Sequence, residues 1–346
     1  MYKIIILCPG NVVSGGVNSL HNLCASLIRN GFDASMYYFD ADSLVLNSHQ
    51  IKSYDVTRYE GDLDEQRHIV VVSESMIEKI TSFSKAKKVV YWLGIKFYFK
   101  SAPWRFPFNK KIFRSFIKCR SYYGYSGGVI ESVQRMLSEY AKSGLNIWAS
   151  DFTHVSNSYY VANYCSNKGA KNVHVLHNPI RDEFYQKKTS SNNRTETILF
   201  GTKTPKLLVA FLRLFLKGYK VIQLRHMPFE KVLELMSESL VYADFGSNHG
   251  RDRMPREAAM HGCIVFVNMR GSFALKEDYD IKKEYKIVDK LINYPLIIKK
   301  IRKAAQNYEV QIEDFKEFRK QLKDERINFD SNVKKVFDKL TKKSNS

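Results

Sequence analysis

The residues with the clearest chemical potential lie between Tyr242 and Val265. There the chain runs Tyr242-Ala243-Asp244-Phe245-Gly246-Ser247-Asn248-His249-Gly250-Arg251-Asp252-Arg253-Met254-Pro255-Arg256-Glu257-Ala258-Ala259-Met260-His261-Gly262-Cys263-Ile264-Val265. A strand-like apolar run gives way to a polar, glycine-containing, strongly basic loop, then to a helix and a further strand. Glu257 falls in the first turn of that helix, where a carboxylate suits the macrodipole. At a cleft the same carboxylate could instead accept hydrogen bonds from a ribose. Gly262 stands where the helix stops. A second loop, Gly10-Asn11-Val12-Val13-Ser14-Gly15-Gly16, follows the first strand and opens a helix. Its glycines allow backbone N–H groups to approach an anion, which a helix N-terminus favours. The spacing is not that of the dinucleotide fingerprint, and a plain strand-to-helix turn is the alternative. A third feature is the stretch from Lys96 to Arg120, with eight Lys or Arg, eight aromatics and no acidic residue. Cations among aromatics suit a membrane interface; a basic surface helix packing its Phe residues inward is the alternative.

The whole chain supports the search for anionic partners. Its 346 residues carry 55 Lys+Arg against 35 Asp+Glu, a formal charge of +20. Nucleotide phosphates, nucleic acid or an anionic membrane would answer that surplus. No RNA- or DNA-binding motif accompanies the basic stretches, so nucleic acid is not expected as a partner. Hydrophobic residues make up 44% and charged residues 26%, which excludes bulk disorder and a fibrous protein. No apolar run approaches the ~18 residues of a membrane span, and the run Ile4 to Cys8 is too short for a signal-peptide core. Five scattered cysteines, Cys8, Cys24, Cys119, Cys165 and Cys263, form no Cys-x-x-Cys, so neither a disulfide framework nor a zinc ribbon is expected. The simplest compartment is a reducing cytoplasm.

The elements that must position these residues read as two α/β halves. Strands are predicted at Lys3 to Leu7, Asp33 to Phe39, Ile69 to Val72, Lys88 to Trp92, Phe152 to Val155 and Val173 to Leu176. Helices are predicted at Asn18 to Arg29, around Ser132 to Ala141 and at Tyr159 to Cys165. Gln186 to Arg194 is polar, without a hydrophobic anchor, and reads as a linker. A second series follows: strands Thr197 to Phe200, Lys220 to Leu224, Leu240 to Phe245 and Cys263 to Val267, with helices Leu207 to Leu216, Pro228 to Ser237 and Pro255 to His261. Past Glu277 the chain is Lys-rich and helical. The fold class is therefore α/β: two Rossmann-like, doubly wound domains facing a cleft, with C-terminal helices. The domains are expected at residues 1–185 and 196–275, joined by a linker at 186–195 and followed by a basic helical region at 276–346. In such folds ligands sit at the C-terminal edges of the sheets.

This plan resembles the GT-B glycosyltransferases, and within them the retaining enzymes of glycosyltransferase family 4. The resemblance rests on the Gly15-Gly16 loop and on the segment Val155-Ser156-Asn157-Ser158, Gly169-Ala170-Lys171-Asn172-Val173 and Asn178-Pro179-Ile180. It also rests on Gly201, Lys203 and Lys206 at the opening of the second domain. The block His249-Gly250, Glu257-Ala258-Ala259 and Gly262 matches the family's Glu-x7-Glu signature in position. The first glutamate of that signature is His249 here, the basic pair is closer in sequence than usual, and no counterpart to the family's N-terminal-domain histidine stands at Tyr91-Trp92-Leu93-Gly94.

The resemblance implies an enzyme that moves a sugar from a nucleotide-sugar to a glycan or lipid-linked saccharide acceptor in surface-polysaccharide synthesis. Cleaving the anomeric C–O bond leaves negative charge on the diphosphate, which preorganised cations must stabilise. Lys203, Lys206, His249 and Arg253 are the expected catalytic residues. Gly15, Gly16, Gly201, Thr202, Gly250, Arg251 and Glu257 are the expected donor-binding residues, with Glu257 on the ribose. Trp104, Phe106, Phe108, Lys110, Lys111 and Arg114 would meet the membrane or the acceptor. No cofactor and no metal are expected: Asp62-Leu63-Asp64 sits in a charged stretch and reads as a solvated loop. The expected location is the cytoplasmic face of the cell membrane. Three rivals remain: a nicotinamide enzyme using Asp40 and Asp42, a CMP-sugar transferase of similar architecture, and a non-enzymatic basic protein binding lipid or RNA.

Overall fold

The computed structural model describes residues 2–10, 14–39, 54–96, 147–149, 151–186, 194–246 and 248–342. They form two compact units. One consists of the described residues up to Asn178 together with those from Ile327 onward; the other is Pro179–Arg326.

The first unit contains β1 (Lys3–Pro9), α1 (Gly15–Arg29), β2 (Asp33–Phe39), β3 (His68–Ser73), a 3-10 segment (Glu74–Ser82), β4 (Lys87–Trp92), β5 (Phe152–Ser156), α2 (Tyr159–Asn167) and β6 (Asn172–Val175). The strands form one parallel sheet in the order β2-β1-β3-β4-β5-β6. Ile4, Ile5, Ile6 and Leu7 are all fully buried, as the unbroken apolar run of a strand covered on both faces requires. Ser14 caps α1 by accepting the Val17 N–H at 3.3 Å, and the helix turns Leu20, Leu23 and Leu27 into the core. It ends at Gly31, whose φ of 79° a side chain would strain.

The second unit contains α3 (Glu183–Gln186), β7 (Thr195–Phe200), α4 (Lys206–Phe215), β8 (Lys220–Gln223), α5 (Phe229–Glu238), β9 (Ser239–Asp244), α6 (Met254–Met260), β10 (Ile264–Val267), α7 (Tyr294–Gln306) and α8 (Tyr308–Gln311). Its parallel sheet has the order β10-β9-β7-β8. The long α9 (Lys316–Thr341) starts in this unit and ends in the first. There Phe329, Val333, Val336 and Phe337 pack with Ile4, Ile6, Leu23 and Leu27. Asp330 fastens the contact by accepting from Ser26 Oγ at 2.6 Å and from Arg29 at 2.8 Å.

The expected strands are present, with ends shifted by at most a few residues, because short β-branched runs between polar turns specify strands locally. The helix expected around Ser132 to Ala141 lies outside the described residues. Among the described residues no helix is long and apolar enough to cross a membrane. The four described cysteines, Cys8, Cys24, Cys165 and Cys263, are buried and free.

Candidate anion-binding site

In the second sheet the chain runs from β7 to β8 on one side, then returns to β9 on the other. The strand order therefore reverses between β7 and β9, and at such a reversal the loops beyond the strand ends diverge to leave a crevice. Two glycine loops occupy this edge, 201–205 after β7 and 245–253 after β9.

The loops pack with no room to spare. A Cβ on Gly201 would lie 2.5 Å from Asp244 Oδ2, and one on Gly246 would lie 2.2 Å from Lys203 Cβ. Thr204, fully buried, ties them by accepting the Phe245 N–H at 3.2 Å. Gln223 at the end of β8 donates to Thr204 O at 2.8 Å and Gly201 O at 3.3 Å. Asn248 donates to Ser272 Oγ at 2.7 Å, and Ser272 donates to Gly250 O at 2.5 Å. A backbone held this tightly is preorganised, which a site binding a charged group requires.

Several expected residues meet here. Gly201, Thr202, Lys203 and Lys206 lie on the first loop and the start of α4; His249, Gly250, Arg251, Arg253 and Glu257 lie on the second loop and α6. Lys203 is exposed, and its Nζ stands 2.5 Å from Asp252 Oδ2. Partial enclosure works against its ammonium, but Asp252 and Asp244 more than offset that, so its pKa is raised. Lys206 is the exposed first residue of α4, whose first turn has no acidic residue. A cation there opposes the macrodipole, an arrangement that an incoming anion would relieve. Arg253 is half-buried at the head of α6, its carbonyl accepting the Glu257 N–H at 2.8 Å. His249 is buried within the loop.

Arg251 takes a different place. Its guanidinium is enclosed, donating through Nε to Asp278 O at 2.8 Å and through both terminal nitrogens to Glu325 at 2.6 and 2.5 Å. It anchors the loop to α9 within the second unit. Glu257 is 1% exposed, with Oε1 3.6 Å from Arg181 Nε. It lies on an inner face of α6 rather than in a solvated first turn. Arg181 in turn stacks over Phe229, 4.1 Å from the ring centroid.

Two further residues at this edge were not singled out from sequence. Asp244 ends β9 and is buried. Burial and then the Asp252 charge push its carboxyl up to about 6, against hydrogen bonds from Gly246 N and Tyr242 OH and the attraction of Lys203. Arg225, just past β8, donates to Thr204 O at 3.3 Å and leaves its Nε without a partner. The signal for both was available, since Asp244 ends a strand and Arg225 lies two residues past one, at the edge where ligands collect.

In the first sheet the order reverses between β1 and β3. Gly15 and Gly16 open α1 at that edge, and a Cβ on Gly16 would lie 3.3 Å from Leu93 Cδ1. Just past β3, Glu74 is 2% exposed and accepts the Leu93 N–H at 3.0 Å. Burial pushes its carboxyl up to about 7, partly countered by N–H bonds from Leu93, its own residue and Gly94. Asp64 of the Asp62-Leu63-Asp64 stretch is half-buried and braces a turn, accepting from Ser84, Lys85 and Ala86 N–H groups at 2.8–3.0 Å. Among the described residues no three His, Cys, Asp or Glu side chains form a group able to hold a metal. Trp104, Phe106, Phe108, Lys110, Lys111 and Arg114, like Asp40 and Asp42, lie outside the described residues.

No family model matches the chain, and no curated protein matches it in sequence. Solved structures match it in fold. Sucrose-phosphate synthase from Thermosynechococcus elongatus aligns with a TM-score of 0.64 and 10% identity, over 98% of this chain and 99% of that one. HepE from Anabaena, in complex with UDP and glucose, aligns with a TM-score of 0.57 and 11% identity, over 98% and 100%. A glycosyltransferase from Rickettsia africae ESF-5 gives 0.54 and 13% identity, over 100% and 99%. The fold is that of the GT-B glycosyltransferases.

Proposed function

We propose that the chain is a glycosyltransferase that takes its sugar from a nucleoside diphosphate sugar held by the second unit. The observation that carries this reading is the edge of the second sheet at β7 and β9. There two loops locked together through Gly201 and Gly246 set Lys203 and Lys206 around the start of α4. Ammonium groups beside helix N–H groups at a strand-order reversal suit a diphosphate. The GT-B fold, shared with a protein captured with UDP and glucose, points the same way.

In this reading Lys203 and Lys206 meet the diphosphate oxygens and stabilise the charge that builds as the anomeric bond breaks. Arg253, Thr202, Gly250 and His249 complete the surroundings of the donor, Arg251 holds their loop, and Glu257 serves the ribose. Gly15 and Gly16 are counted with the donor-binding residues on the resemblance in motifs alone. Transfer is metal-independent and retains the anomeric configuration, onto a glycan or lipid-linked saccharide of a surface polysaccharide. The enzyme works at the cytoplasmic face of the membrane, with residues 96–120 in contact with anionic lipid. The resemblance in motifs and the composition of residues 96–120 support these finer points.

The deciding experiment is a thermal-shift screen of UDP, GDP, dTDP, ADP and CMP, followed by transfer assays with the sugar form of whichever nucleotide binds. One nucleoside diphosphate should stabilise the protein, by about 2.7 kcal/mol at a hundredfold Kd. A response to CMP alone would move the reading to a CMP-sugar transferase, and no response to any nucleotide would end it.

A further inference from the structure

The second unit carries apolar surface that its own core leaves uncovered. Helix α4 buries Leu208, Val209 and Leu212, yet Leu207, Leu214 and Phe215 stay 71%, 63% and 44% exposed. A second exposed group lies at the start of α7 and just before it: Leu291 at 68%, Ile292 at 83% and Leu296 at 43%. The two segments touch. The rings of Phe211 and Tyr294 are 5.4 Å apart, and Arg302 donates to the Phe215 carbonyl at 2.6 Å. Six of the ten exposed large apolar side chains among the described residues thus belong to this pair of segments. Clustering of this kind marks an interaction surface, whereas single exposed apolar residues do not.

Within the two segments the charge has one sign, although the exposed Glu196 stands beside Tyr219 and Arg302. Residues 206–220 and 290–306 together contain nine Lys or Arg and no Asp or Glu, and all the cations but Lys300 are exposed. A second copy of the chain would set like charges against each other, and a nucleic acid would leave Leu291 and Ile292 facing water. An anionic bilayer answers both features, because apolar side chains enter the acyl–headgroup boundary while Lys and Arg meet the headgroup phosphates.

We propose that α4 and the start of α7 form a docking surface for anionic membranes. The surface is built from residues other than 96–120 and does not depend on the transferase reading. It begins one residue after Lys206, so docking brings the anion-binding edge of the second unit to the bilayer.

The test uses the full chain carrying Lys110→Ser, Lys111→Ser and Arg114→Ser, which takes three of the eight cations out of the other basic stretch. In flotation at low salt this protein should still rise with phosphatidylglycerol-containing vesicles and not with phosphatidylcholine alone. Adding Leu291→Ser with Ile292→Ser, or Arg213→Gln with Lys299→Gln and Lys303→Gln, should lower the bound fraction by roughly tenfold or more. These positions are exposed, and an unchanged melting temperature verifies the fold. Ile292→Trp should give an emission that moves to the blue when anionic vesicles are added. Flotation unaffected by both sets, no blue shift, or a dimer in light scattering that these substitutions dissolve would overturn the proposal.

Discussion

Lys203 Nζ stands 2.5 Å from Asp252 Oδ2, joining the loop after β7 to the loop after β9. The two side chains are 40% and 27% exposed, so the pair itself contributes at most about 1 kcal/mol to stability. In the proposed function its importance lies in occupancy: the carboxylate holds the position at Lys203 that a phosphate of the donor would take. Asp252→Asn should therefore tighten nucleoside diphosphate binding by a few-fold, while Lys203→Ala should weaken it by about 10- to 150-fold. Isothermal titration reads both. Weaker binding in Asp252→Asn would make the carboxylate a group that positions Lys203 instead.

Gly246→Ala should separate the two loops. The added Cβ would sit 2.2 Å from Lys203 Cβ and 2.8 Å from the Lys203 carbonyl carbon, and backbone cannot give way as a flexible side chain can. The expected cost is about 1–3 kcal/mol in urea unfolding, together with loss of nucleotide binding. A fully stable variant with normal binding would show that the loops are not locked.

Glu257→Gln tests the inner face of α6. With Glu257 1% exposed and Arg181 its cationic neighbour, neutralising it should lower stability by about 1–3 kcal/mol. Nucleotide binding should weaken as well if the carboxylate serves the ribose. A stability loss without a binding change would confine Glu257 to the Arg181 contact.

The pH dependence of stability should carry the mark of Glu74. Its carboxyl titrates at about 7 in the folded protein, against 4.5 as the ordinary value, so the folded state holds the proton more tightly. That contribution is complete below about 4.5 and disappears as the pH rises through about 7. Glu74→Gln keeps an acceptor for the Leu93 N–H and removes the titration. Between pH 5 and pH 8 the wild type should lose about 1–3 kcal/mol relative to the variant in urea unfolding. Parallel curves for the two proteins would disprove this.

The end of α9 should be indispensable to the first unit. Phe337 is fully buried and meets Phe32 edge-on with centroids 6.4 Å apart. Phe337→Ala should cost about 3–5 kcal/mol, and Asp330→Ala a smaller amount through Ser26 and Arg29. Hydrogen exchange should place the loss in β1, β2 and α1.

Residue order alone determined the strands, the helices and their alternation. Runs such as Lys3 to Leu7 and Thr197 to Phe200 carry their own β signal, Gly31 and Gly262 end helices through a positive φ, and a basic loop after β9 is visible as a cluster of arginines. These are local properties, written within one turn or one strand. The fate of each charged side chain was not local. Arg251 looked like its neighbours in the loop, yet it turns inward because Glu325, 74 residues on, supplies a carboxylate to receive it. Glu74 acquires a raised pKa because neighbouring strands and loops exclude water from it, and Asp244 for the same reason with the charge of Asp252 added. Leu207 and Leu212 are the same residue type on one helix, and only packing against the second sheet made one exposed and the other buried. Hydrophobic periodicity specifies which elements form; burial, pairing and exposure depend on which distant elements then come together, and that was decided in three dimensions.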